Sequence, residues 1–268
     1  MSTSDLASAR GRGDAPGAIV TPFELRDYAL LLRWLILAGV AVAAFVAVWQ
    51  FGLLAEMLRS DKSYISLAIT LLFVGTSVHC ATGVVAVSRE LNAARRVQRL
   101  IQKNPSNFQV MDDKVVIGEG VQLLPGIMTD HIRNLILKAR GLESRVDQSL
   151  LMRTFADGLR GRLQVGWFIS DAMFKLGLLG TLIGFIFMLS PINAIKTFDP
   201  LTMKAAMSTM SSGMAVALYT TLAGLVGGLI LKLEYYFLEI GTTELHTITA
   251  ETTDVYVIPG LREKINAS

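Results

Sequence analysis

A single cysteine, Cys80, excludes any disulfide within the 268-residue chain. The three histidines stand far apart at His79, His131 and His246, and no group of Cys, His, Asp and Glu has the spacing of a metal site. There is no phosphate-binding glycine loop and no nucleophile beside a base, and the short Gly118-Glu119-Gly120 is too little to hold a nucleotide. No catalytic residue, enzyme activity, metal or cofactor is therefore expected. Charge of either sign is scarce: 25 Lys and Arg face 22 Asp and Glu, and a formal +3 gives nucleic-acid binding no electrostatic basis. The first 20 residues are polar, with Gly and Ser, and lack the apolar run of a secretory signal. They read as disordered.

What the chain does have is apolar length. Hydrophobic residues make up 52% and the mean hydropathy is +0.49, which places it in a membrane. Four segments reach the roughly 20 residues needed to cross about 30 Å of hydrocarbon. They run about Leu30 to Leu54, Tyr64 to Val87, Trp167 to Leu189 and Met210 to Leu231. Each must be helical, because a backbone in lipid satisfies its own polar groups. The fold class expected is an all-α integral membrane protein, with four transmembrane helices and long cytoplasmic helical extensions.

Lys and Arg orient the spans. Arg10, Arg12 and Arg26 precede span one, and 13 Lys or Arg lie between Arg89 and Arg162. The other two loops hold only Arg59 with Lys62, and Lys196 with Lys204. Positive charge stays inside, so both termini and the middle segment are expected in the cytoplasm. The chain divides into a tail (1–27), spans one and two (28–87), a basic cytoplasmic helical segment (88–163), a region with spans three and four (164–235) and a C-terminal helix and tail (236–268). In the middle segment Asn104-Pro105-Ser106 breaks a first helix. Phe108 to Leu124 is mixed, with a turn at Gly118 and Gly120, and a second helix starts after Pro125-Gly126. That helix is expected to run towards span three with an interruption near Gly158 to Gly161. Helix after span four is expected to stop at Pro259-Gly260.

The stretch Leu176 to Leu189, LGLLGTLIGFIFML, carries Gly177, Gly180 and Gly184 around Thr181. The stretch Gly213 to Leu231 repeats the recipe, with Gly213, Ala217, Gly224 and Gly228 around Thr220 and Thr221. Small residues at such spacings let helices approach closely. Glycine spacing alone signals packing, and a lone membrane threonine often bonds only its own i−4 carbonyl. Together, hydroxyls at a close helix contact also offer oxygen ligands to a dehydrated cation or to a neighbour's carboxyl. No Asp or Glu falls at mid-depth in any span. A charged group for an ion path must then come from another chain. Asp171 and Lys175 mark the cytoplasmic end of span three. His79 and Cys80 read as packing residues in span two, and Arg95, Arg96, Arg99 and Lys103 as a face towards headgroups or solvent.

Gly177-Leu178-Leu179-Gly180-Thr181 resembles a segment of the TolQ/ExbB branch of the MotA/TolQ/ExbB family of ion-driven motor subunits. Gly213 to Leu218 with Thr220-Thr221 resembles the fourth span of its MotA branch, and four spans resemble the MotA layout. The resemblance covers roughly Ser170 to Tyr235. It implies a homopentamer in the bacterial inner membrane around two copies of a single-span ExbD/TolR/MotB-like partner, whose helix brings an aspartate into the pore. Proton or sodium flow there would turn the ring. By position, Thr181 and Thr221 match the family's pore threonines, and Thr220 resembles an extra hydroxyl of sodium-driven members. The chain departs from the family at Phe174, where proline is usual, at Lys175, and at Val216, where ExbB has an acid. Two alternatives stay open: a structural scaffold without conduction, and the flagellar type of stator as the specific subclass.

Overall fold

The structure, a computed structural model, describes residues 29–50, 52, 64–103, 108–111, 114–117, 121–141, 148–194 and 199–266. The tail (1–27), Arg59, Lys62, Asn104 to Ser106, Gly118, Gly120 and Lys196 lie outside these residues.

Helices α1 (Ala29–Gln50), α2 (Ile65–Lys103), α4 (Ser149–Leu189) and α5 (Pro200–Thr252) contain the four apolar stretches. All four are long and apolar enough to cross a membrane. At 1.5 Å per residue, α5 with its 53 residues spans about 80 Å. That is far more than the hydrocarbon, so α2, α4 and α5 leave the bilayer and continue as helices. The expected interruption at Gly158 to Gly161 is absent, and α4 runs through both glycines. Nothing lies within 4 Å of a Cβ built at either. Each costs about 1 kcal/mol of helix propensity, which the long packed helix absorbs. Pro259 does not end the chain's helix either. A π turn at Thr253–Val257 inserts an extra residue, and Pro259 then falls in the first turn of α6 (Ile258–Asn266), the part of a helix that tolerates proline best.

The architecture is helical throughout the described residues but for one small sheet. Strands β1 (Phe108–Met111), β2 (Lys114–Ile117) and β3 (Val121–Gln122) form an antiparallel meander, with Phe108 opposite Ile117 and Ile117 opposite Val121. Val115-Val116-Ile117 is a β-branched run, and Val115 and Ile117 alternate inward. The amphipathic helix α3 (Ile127–Gly141) covers this sheet. Its Met128, Ile132, Leu135, Ile136 and Ala139 repeat at helical spacing and are buried. The Glu90 carboxylate of α2 accepts the Ile127 N–H at 2.9 Å, capping α3 from a neighbouring helix.

These pieces share one extramembrane core. It joins Leu91, Val97 and Ile101 of α2 to the sheet, to α3, to Leu245 of α5 and to Val257 and Leu261 beyond it. Two smaller clusters lie nearer the membrane: Leu30, Cys80, Val84, Val87, Leu163, Tyr235 and Leu238, then Ile69, Met173 and Leu231. Helices α1 and α2 are thus displaced along α5 towards the extramembrane body. Leu30 and Val87, at the inner ends of their apolar stretches, meet Gly241, ten residues past the end of the apolar run at Leu231.

His131 is 5% exposed in the extramembrane core. Its ring meets Phe155 at 5.6 Å, and Phe155 meets His246 at 6.0 Å. Burial first, and the neighbouring His246 second, push the His131 imidazole below its ordinary value of 6.5. The folded state therefore prefers a neutral ring. Its contribution is complete above the unfolded value and is lost as pH falls from about 6.5 through the depressed folded value. Thermal melts at pH 7.5 and 5.5 are expected to show a lower Tm in acid. His131→Leu should shrink that drop, and an unchanged drop would remove His131 as its source.

Candidate functional site: the glycine-faced helix pair

Helices α4 and α5 run antiparallel and touch backbone to backbone. A Cβ at Gly184 would lie 2.6 Å from the Ala217 Cβ and 2.7 Å from its backbone nitrogen. One at Gly224 would lie 2.7 Å from the Met173 carbonyl and 2.8 Å from the Gly177 Cα, and one at Gly213 would meet the Met188 nitrogen at 2.5 Å. Gly228 lies under the Phe174 ring, at 3.0 Å from such a Cβ. The glycines and Ala217 singled out in the two stretches are therefore one continuous contact. Only residues without side-chain bulk fit there, because main chain lies opposite Gly177, Gly213 and Gly224, and the Thr220 and Phe174 side chains fill the space over Gly180 and Gly228.

The three threonines behave differently. Thr220 is fully buried and fills the space over Gly180, where any Cβ would overlap its hydroxyl. Its Oγ1–H is directed at the carbonyls of Val216 (2.8 Å) and Ala217 (3.1 Å). Thr220 is thus a packing knob between the helices in this chain. Thr221 is half-buried, and its hydroxyl bonds the Ala217 carbonyl at 2.9 Å and crosses to the Gly177 carbonyl at 3.2 Å. Thr181 is also half-buried and bonds the Leu178 carbonyl at 2.5 Å. A hydroxyl has one proton and two lone pairs. With the proton committed to a carbonyl, Thr181 and Thr221 offer only acceptor oxygens to whatever lies beside the pair.

One turn and more inward, Lys175 Nζ meets Asp171 Oδ2 at 2.9 Å on the exposed side of α4, with side chains 77% and 57% exposed. Lys232 of α5 lies 5.6 Å from the ring centroids of both Trp167 and Phe174. The residue standing at the unusual Phe174 position is thus half of a cation–π clamp and also the cover of Gly228. Ser170, buried, donates to the Gly228 carbonyl at 2.8 Å and ties the helices together just above this clamp.

Sequence reasoning missed Glu234 and Tyr235. None of the four apolar runs carries an acid of its own, but Glu234, just past the run of α5, packs against the apolar run of α2. Glu234 is 1% exposed and accepts the Ser77 Oγ–H at 2.9 Å. Ser77 lies ten residues before Val87, about 15 Å inside the end of span two. The Tyr235 ring, fully buried, occupies the notch over Gly166. Its hydroxyl lies 2.9 Å from His79 Nδ1, so His79 is more than a packing residue. The signal in the sequence was faint: an acid three residues past Leu231, judged against its own helix only.

The contact at Gly180 separates side-chain from main-chain crowding. Gly180→Ala should destabilise the protein by about 1–3 kcal/mol through overpacking, and Thr220→Gly in the same chain, which removes the Cβ as well as the hydroxyl facing that position, should restore part of that loss. Gly184→Ala meets Ala217, its backbone included, and should have no such rescue from Thr220→Gly. Thermal unfolding in detergent of the four variants measures the coupling; equal rescue at both glycines would disprove the pairing.

Residues 148–248 match the model of the MotA/TolQ/ExbB proton channel family. The match covers less than half of the chain, but it takes in all of α4, most of α5, the glycine contact and all three threonines. No curated protein and no solved structure matches the chain. With four helices long and apolar enough to cross a membrane, the chain reads as a multi-pass membrane protein, and its residues 148–248 are similar to the MotA/TolQ/ExbB proton channel family.

Proposed function

We propose that the chain is the ring-forming subunit of an ion-driven motor in the bacterial inner membrane. Five copies surround two copies of a single-span partner that carries an intramembrane aspartate, and passage of H⁺ or Na⁺ drives rotation or other mechanical work. It performs no enzymatic step and needs no cofactor. Both termini and the extramembrane body lie in the cytoplasm, as the placement of Lys and Arg supports.

The observation that carries this reading is the state of Thr181 and Thr221. Each is half-buried at the edge of a backbone-close helix pair, with its proton already donated to a carbonyl. Outward-facing lone pairs suit a protonated carboxyl, an ordered water or a bare cation, and nothing else polar lies in the apolar stretch between Leu176 and Leu189. The aspartate would arrive from the partner and alternate between bound proton and free carboxylate. Gly177, Gly180 and Gly184 hold α4 rigidly on α5 so that the oxygens keep their positions. The Asp171–Lys175 pair would stand at the cytoplasmic mouth, where the two opposite charges leave little net field against a passing cation. The scaffold alternative has an observation of its own: own-helix hydroxyl bonds are also what an inert threonine makes.

Ion flux separates the two. Thr181→Val and Thr221→Val keep the shape and remove the lone pairs. In proteoliposomes holding the complex, each is expected to lower flux at least tenfold, about 1.4 kcal/mol on the barrier, with assembly unchanged. Normal flux in both would overturn the assignment of Thr181 and Thr221 to the ion path, and no flux from the wild-type complex would leave the scaffold reading. Native mass spectrometry of the complex drawn from its own membrane should show five copies with two of the partner. A monomer or dimer alone would overturn the ring.

A further inference from the structure

We infer that Glu234 is an exchangeable proton-binding site of this chain, lying between α2 and α5 and distinct from the threonine-edged contact of α4 and α5. One proton adds to its carboxylate, giving a carboxylic acid, and leaves again without any other bond being made or broken.

The geometry is that of an acid with no compensating cation. Glu234 is 1% exposed. Oε1 accepts one hydrogen bond, from Ser77 at 2.9 Å, while Oε2 is buried with no partner. The charged and titratable groups around it are all otherwise engaged or turned away. From α5, Lys232 lies over Trp167 and Phe174, and the Tyr235 hydroxyl lies beside His79. From α4, Lys175 holds Asp171. From α2, His79 meets Tyr235, and Cys80 is a buried thiol. From α1, Trp34 packs against the same cluster and Arg33 is exposed. An ionised carboxylate in such a place loses its hydration and gains one hydroxyl in return. Adding a proton removes the charge and leaves a carboxyl that can be buried.

A second titratable group stands beside the site. The Nδ1 of His79 on α2 lies 2.9 Å from the buried Tyr235 hydroxyl. Ser77 and His79 lie two residues apart on α2, and Glu234 and Tyr235 are adjacent on α5. Two neighbouring contacts across the same α2–α5 interface, Ser77 with Glu234 and His79 with Tyr235, thus set an imidazole and a buried acid near one another. The site is independent of whether the threonine-edged contact conducts. A conducting complex could lack it, and a non-conducting scaffold could have it.

Infrared spectroscopy of the full-length chain in lipid nanodiscs tests the inference. At pH 7 the wild type should show a neutral-acid C=O band that disappears in Glu234→Gln and persists in Asp171→Asn. The band should fade as pH is raised and return when it is lowered. A wild type with no such band at pH 7, a band that survives Glu234→Gln, or a band unchanged up to the pH of unfolding would each overturn it. If Glu234→Gln does not fold, dicyclohexylcarbodiimide labelling of the wild type decides, because this reagent attacks protonated carboxyls in apolar surroundings. An adduct mapped to Glu234 and declining with rising pH supports the site, and an unmodified Glu234 at pH 7 overturns it.

Discussion

Everything in the membrane half of this protein depends on how closely α4 and α5 approach. Between Gly224 and Gly177 the main chains touch with no side chain between them, and at Gly184 only the Ala217 methyl group shares the contact with main chain. Lipid tails are as apolar as leucine, so membrane helices gain little from hiding apolar surface and associate through tight van der Waals contact instead. Glycine makes that contact possible. The same closeness lets the Thr221 hydroxyl reach a carbonyl on the opposite helix. It also confines Thr220 to the space over Gly180. Packing and polar geometry are therefore one problem here: widening the contact would move the oxygens as well.

Outside the bilayer the forces change, and so does the composition of the core. There the burial of large apolar side chains in water takes over. Leu, Ile and Val from α2, α3 and α5 gather round a small sheet. The long helices carry the membrane contact into this body without a joint, since α4 and α5 are unbroken across both environments. A rigid helix transmits displacement along its length, so the glycine contact and the extramembrane core are mechanically one unit. The Glu90 cap on α3 and the Arg95–Glu244 pair, at 2.6 Å, fasten the surrounding pieces to it.

Between the two regions lies a belt where apolar packing and polar groups mix: Trp34, Ser77, His79, Cys80, Glu234 and Tyr235. It exists because α1 and α2 do not share the depth of α4 and α5. A residue that ends one apolar run is opposite the middle of another. A helix considered alone assigns Glu234 to the water side, whereas its neighbour α2 surrounds it with a membrane segment.

The linear chain determined what depends on local chemistry and spacing. Runs of about 20 apolar residues dictate helices that can span a bilayer. The small residues from Gly177 to Gly184 and from Gly213 to Gly228 mark the faces that can come close. Pro125-Gly126 marks the start of α3, which begins at Ile127. The strand signal in Lys114 to Ile117 was weaker, because four residues are too few for a period to stand out among helices. Gly158 and Pro259, both nominal breakers, failed to break, since long packed helices and a π turn absorbed them. What only the tertiary structure decided is which residues share a neighbourhood. Thr220 and Thr221 are adjacent in sequence, yet one is locked inside the contact and the other stands at its edge. Ser77 and Glu234, 157 residues apart, meet because α2 and α5 pack at a particular relative depth. Hydropathy reports how deep a residue sits on its own helix, and the offset between helices is set by the fit of side chains such as Tyr235 over Gly166, which no single segment contains.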